Sequence, residues 1–189
     1  MTRTERLALL AALGLIALFL APVLGSAFLE DDTFNSYVDG WMGYEHLSFW
    51  HAVSLMSGAS NTGNGRFYPV FPLLMVGEFH LVHSVALMKA LVVAAILLNA
   101  LTFWLLLRRI VPSLATPALV LLPAVLQIRF YHDPIVGFSL HMQLALEFAL
   151  LGFLGLTVYA RNGRGTVLAW GAASYAFACL TYEATYAYA

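Results

Sequence analysis

The sequence predicts an all-α fold: a polytopic membrane helix bundle of about five transmembrane helices, with interfacial helices in its first outer loop. Three observations predict it. The 189 residues are 61% hydrophobic and only 10% charged, against ~25% charged in ordinary soluble domains. Mean hydropathy is +0.82, more than a single soluble core of this length can hide. Long apolar segments also recur along the chain, with polar or arginine-bearing stretches between them. A net charge of −1 supplies no basic field for polyanions, so no nucleic-acid partner is expected. The single cysteine, Cys179, allows no intrachain disulfide and no cysteine-rich metal site.

The first apolar segment is Leu7 to Phe28, 22 residues without a charge. It is longer than a signal-peptide core of ~7–15 residues, so an uncleaved anchor is expected despite Arg3, Arg6 and a small-residue Gly25-Ser26-Ala27 stretch. The second runs from Ala90 to Leu107 and extends to Val85 if Lys89 snorkels toward the interface. The third, Ile110 to Ile128, contains Pro112, Pro117 and Pro123, tolerable where neighbouring helices satisfy the freed carbonyls. The fourth and fifth are Met142 to Ala160, around Glu147, and Gly165 to Ala189, with Glu183.

Arginines orient the bundle. Arg3 and Arg6 precede the first span, Arg108 and Arg109 follow the second, and Arg161 and Arg164 follow the fourth. With five spans all three sites share one side, which the positive-inside rule places in the cytoplasm together with the N-terminus. The 30–84 segment then lies outside. Its first part, 30–66, holds Glu30, Asp31, Asp32, Asp39 and Glu45 against Arg66 alone.

A loop of about 55 residues exceeds ordinary connections, and Phe34, Tyr37, Trp41, Tyr44, Phe49 and Trp50 are too many aromatics for a solvated tail. Their three- and four-residue spacing predicts an amphipathic helix lying in the interface. A turn-forming run, Ser60 to Gly65, separates it from a second interfacial or re-entrant helix reaching about Val82. Glu78, His80 and His83 on that second helix are expected on its wet face. Their spacing is not that of a zinc motif.

This arrangement resembles the opening of the GT-C superfamily of polyprenyl-phosphate-dependent glycosyltransferases: protein O-mannosyltransferases, aminoarabinose transferases and their bacterial family-39 cousins. Asp31-Asp32 stands where those enzymes carry an acidic pair at the outer end of the first span. Gly65-Arg66 followed by Pro69 is similar to their GR-x-x-P element. Asp133-Pro134 and Tyr182-Glu183 look like weaker family features. The resemblance covers nearly all of 1–189. It implies a longer protein of ten or more spans, so that this chain is expected to be its N-terminal portion, a truncated reading frame being the other account.

The resemblance further implies an inverting transfer of sugar from a polyprenyl-phosphate donor, on the outer face of a bacterial inner membrane. An acceptor hydroxyl loses a proton as it attacks the anomeric carbon, which suits Asp32, or Asp31, as general base. The leaving phosphate gathers negative charge, which suits Arg66, with Lys89 able to reach the same interface. Tyr182, Glu183 and Asp133 are the expected acceptor- or donor-side contacts. A divalent cation, Mg²⁺ or Mn²⁺, held by Asp31 and Asp32 with the donor phosphate would fit their preference for oxygen. Each residue also has a plainer reading: a solvated helix end for the aspartates, an anchor or a partner of Asp39 or Glu45 for Arg66, and snorkelling for Lys89. For Glu147 a packed interhelical hydrogen bond is preferred. Two other function classes stay open. A secondary transporter or flippase would use Glu147, Glu183 and Lys89 inside the membrane, and a non-catalytic membrane protein would use none of them. Sugar, acceptor and polyprenyl length are not legible.

Overall fold

The computed structural model describes residues 2–28, 31–63, 67–126 and 140–182, with the side chains of Asp31, 60–63 and 123–126 outside that description. Among the described residues the fold is all-helical, with nine α-helices and one 3-10 segment. Helix α1 is Arg3–Leu20. Its start is fixed by a capping box: the Glu5 amide donates to Thr2 Oγ1 at 3.2 Å, and the Thr2 amide donates to Glu5 Oε2 at 2.7 Å. The expected continuous helix to Phe28 instead tightens into a 3-10 segment, Ala21–Gly25, where Pro22 enters its first turn.

Four short helices replace the two interfacial ones expected: α2 Asp31–Asn35, α3 Val38–Tyr44, α4 Phe49–Gly63 and α5 Val70–Leu81. The break between α3 and α4 falls at His46, whose φ of 52° is left-handed. Helix α5 has 12 residues, a length of ~18 Å against a hydrocarbon core of ~30 Å, so it does not cross. It is not a surface helix either. Met75, Val76 and Phe79 are buried and join Val38, Met42, Ala52 and Met88 in a small core that roofs one end of the bundle.

Helix α6, Val85–Ile110, includes the extension past Lys89 and is capped by Ser84, whose Oγ accepts from the Leu87 amide at 3.3 Å. Helices α7 (Pro112–Leu126), α8 (Leu140–Asn162) and α9 (Gly165–Thr181) follow. Three segments are long and apolar enough to cross a membrane: Arg3–Gly25, Val85–Ile110 and Leu140–Asn162. Helices α7 and α9 are apolar but shorter within the described residues, and the ends expected for them, near Ile128 and Ala189, lie outside those residues. The chain is thus a membrane-type helix bundle.

The main core joins Leu9, Ala12, Ile16 and Leu20 of α1, at three- and four-residue spacing, to Val92, Val93, Ile96, Ala100 and Trp104 of α6 and Ala115 and Leu119 of α7. Charged residues mark one end. Arg108 donates to Glu5 Oε2 at 3.3 Å, and Arg161 donates to the Arg109 carbonyl, so the three arginine sites gather there.

Helices α8 and α9 form a hairpin reversed at Gly163, whose φ of +65° caps α8 in the left-handed region. The two backbones touch through glycines. A Cβ on Gly155 would lie 2.8 Å from the Gly171 Cα, and one on Gly152 would lie 2.8 Å from the Tyr175 Cβ. Close backbone approach is a common device of helix pairs in lipid, where van der Waals packing drives association. Gly155→Leu is therefore expected to destabilise the hairpin by ~1–3 kcal/mol, the usual cost of overpacking. Thermal unfolding in micelles checks it, and an unchanged midpoint would show that the glycine contact is dispensable.

Candidate functional site

Two of the residues singled out from sequence, Asp32 and Lys89, meet at the end of the bundle opposite the arginines. Asp32 sits in the second position of α2, and that helix is tied back to the end of the first span by Thr33 Oγ1, which donates to the Phe28 carbonyl at 3.0 Å. Lys89 is in the second turn of α6, and Val92, Val93 and Ile96 share its buried face. These two elements bring Lys89 Nζ to 3.4 Å from Asp32 Oδ2, with both side chains 0% exposed. The ammonium also lies 5.5 Å from the centroid of the Phe28 ring, within cation–π range. Phe28 in turn meets Phe79 of α5 edge-on, with centroids 5.5 Å apart.

This corrects the plain readings of both residues. Asp32 is no solvated helix end, and Lys89 does not snorkel. A carboxylate and an ammonium withdrawn together from water are stable only as a pair, because either alone would carry a desolvation penalty of several kcal/mol.

A second buried pair was not anticipated. Glu78 of α5 and His141 of α8 meet at 3.1 Å from Oε2 to Nδ1, with side chains 6% and 3% exposed. Phe71 packs edge-on against the imidazole, with centroids 4.7 Å apart. Glu78 therefore leaves the wet face expected for it and pins α5 to the first turn of α8. His80 and His83 do face outward, and both approach Asp39 of α3, at 2.8 and 3.7 Å. Asp39 thus has imidazole neighbours, and the Arg66 partnership considered from sequence lies outside the described residues. Among the described residues no cluster of three metal-ligating side chains is present.

The other expected site residues divide as follows. Tyr182 stands immediately after α9, half-buried. Asp31 opens α2, but its side chain lies outside the description. Arg66, Asp133 and Glu183 lie outside the described residues altogether. As for a divalent cation, the Asp32 carboxylate already faces an ammonium at the distance of an ion pair. A second positive charge there would meet like-charge repulsion in a low-dielectric setting. The arrangement does not fit a metal at Asp32.

The chain matches no family model, no curated protein and no solved structure. Its function therefore has to be argued from these side chains.

A third polar group lies deeper, between α6 and α8. Asn99 Nδ2 donates to the Gln143 carbonyl at 3.1 Å and to Gln143 Oε1 at 3.0 Å. One turn on, Thr102 Oγ1 donates to Glu147 Oε1 at 2.7 Å. Glu147 thus makes the interhelical hydrogen bond preferred for it from sequence. Asn99 and Gln143 gave no signal of their own beyond being polar residues inside apolar runs.

Proposed function

We propose that this chain belongs to a membrane glycosyltransferase that moves a sugar from a polyprenyl-phosphate donor to an acceptor hydroxyl. One observation carries the reading: a carboxylate and an ammonium, 57 residues apart in sequence, meet at the end of the bundle away from the arginines. Those are the two charges that such a transfer needs. Lys89 neutralises the donor phosphate, and Asp32 accepts the acceptor proton. The acceptor oxygen then forms its bond to the anomeric carbon, the bond from that carbon to the phosphate oxygen breaks, and the phosphate leaves with the electron pair. One such displacement inverts the anomeric centre.

In the resting chain the two charges satisfy one another. Arrival of the donor phosphate at Lys89 would take over its ammonium and release Asp32 as an ionised base, so substrate binding itself arms the site. The α2–α5 roof has to move for this, which fits its construction from short helices. Transfer of labelled sugar from a polyprenyl-phosphate donor, in membranes carrying the protein, tests the reading.

The same reading places the chain in a bacterial inner membrane with its N-terminus in the cytoplasm, since the arginine sites gather at one end. In a Cys179→Ser background, single cysteines at positions 3, 109 and 164 are expected to label from the cytoplasm, and those at 64 and 132 from outside, whereas position 32 is buried and is not a labelling site. Labelling of position 64 only from the cytoplasm would overturn both the orientation and the enzyme reading. The transporter or flippase alternative draws on the buried polar contacts between α6 and α8.

A further inference from the structure

The α6–α8 contact leaves two oxygens without hydrogen-bond partners among the described residues: Asn99 Oδ1 and Glu147 Oε2. Their residues are 5% and 6% exposed. Unsatisfied polar atoms this deep are rare in native structures, and each calls for an explanation such as an ion or a water. Here both belong to one place. Asn99 and Thr102 are three residues apart on α6, and Gln143 and Glu147 are four apart on α8, so the two polar pairs stack with ~5–6 Å between them along the helices. The two orphan oxygens belong to adjacent layers of this stack, one on each helix.

Charge points the same way. A carboxylate that stays ionised in a membrane helix needs a positive partner, and no side chain supplies one at this depth among the described residues. Helix α7 holds no Asp, Glu, Lys, Arg or His, and neither does α9, whose titratable side chains are Tyr175 and Cys179. The charged residues of α1 are confined to its first turn, with Glu5 engaged by Arg108 from the last turn of α6. At the other end, Lys89 is with Asp32 and His141 with Glu78. His80 on α5 is with Asp39.

The geometry points to a binding site for one sodium ion between Glu147 Oε2 and Asn99 Oδ1. Thr102 Oγ1 and Glu147 Oε1 supply further oxygens beside it, the donor type that a hard cation takes, while the Asn99 amide nitrogen is turned to Gln143. The ion would lock α6 to α8 at mid-depth, independently of glycosyl transfer at the roof.

The test is thermal unfolding of the full chain in detergent micelles, in sodium chloride against choline chloride at equal ionic strength, with infrared spectra of the carboxyl bands. Sodium binding is expected to raise the midpoint saturably by several degrees and to shift a carboxylate band of the wild-type protein. Glu147→Gln, which keeps the Thr102 contact, should abolish both effects, and Asn99→Ala should weaken the apparent sodium affinity severalfold. A Glu147 that is merely protonated gives the opposite signature and overturns the site: no sodium effect, a protonated-carboxyl band at neutral pH that Glu147→Gln removes, and stability that falls as pH rises. If the wild-type protein shows no saturable sodium response, the site does not exist. That last readout needs no variant to fold.

Discussion

Lys89→Met is expected to destabilise the chain by ~3–5 kcal/mol, the usual cost of removing one partner of a buried ion pair. Methionine replaces the aliphatic stem beside Phe28 well enough, so little of the loss is packing. The loss comes from Asp32, left as a carboxylate at 0% exposure without its ammonium. Pairing the change with Asp32→Asn should recover most of the stability, because a neutral pair of similar volume often replaces a buried ion pair at little cost. Denaturant or thermal unfolding of the two variants in micelles checks this. A single variant as stable as the wild-type chain would mean that Asp32 has other sufficient support.

Asp32→Asn is expected to lower sugar transfer ~100- to 10,000-fold, the range typical of losing a general base. The amide keeps the shape of the side chain but leaves the Lys89 ammonium buried without its carboxylate, so this variant also loses stability on the scale of Lys89→Met, and turnover is read per folded protein. Asp31→Asn is the control for the neighbouring carboxylate. Arg66→Ala should weaken donor binding as well as turnover, and Glu147→Gln should affect transfer less than either, because its place is between α6 and α8 rather than under the roof. Near-normal transfer by both Asp31→Asn and Asp32→Asn would remove the acidic pair from the chemistry.

The long segments were legible because a membrane demands a simple pattern. Helix α6 does start at Val85, the start expected on condition that Lys89 snorkelled, although Lys89 is buried beside Asp32 instead, and the arginines gather at one end as charge asymmetry required. The first outer loop was legible only in outline. Its aromatics announced helices, and exposed Phe34, Tyr37, Tyr44 and Trp50 keep the character of interfacial residues. Yet the same spacing does not reveal a left-handed His46, nor that α5 is a buried strut.

Polar pairs were the least legible. Glu78 and His141 are 63 residues apart, and no local pattern links them. Lys89 did carry a signal: it precedes Val92, Val93 and Ile96 at three, four and seven residues, on the core side of α6. A lysine in that register has to find a carboxylate, and Asp32 was the candidate already suspected on other grounds. Helical register predicts burial, whereas the identity of a distant partner is set by tertiary packing.

The most direct test of the account is sugar transfer by the Asp32→Asn/Lys89→Met double variant, in membranes carrying the protein. The pair is either a buried tie that positions α2 over α6 or the charged core of a transferase site. A neutral replacement preserves the first role and destroys the second. The account predicts a double variant that inserts and resists unfolding much as the wild-type chain does, yet transfers sugar ~100- to 10,000-fold more slowly. Near-normal transfer by that stable double variant would contradict it, leaving Asp32 and Lys89 as structure alone.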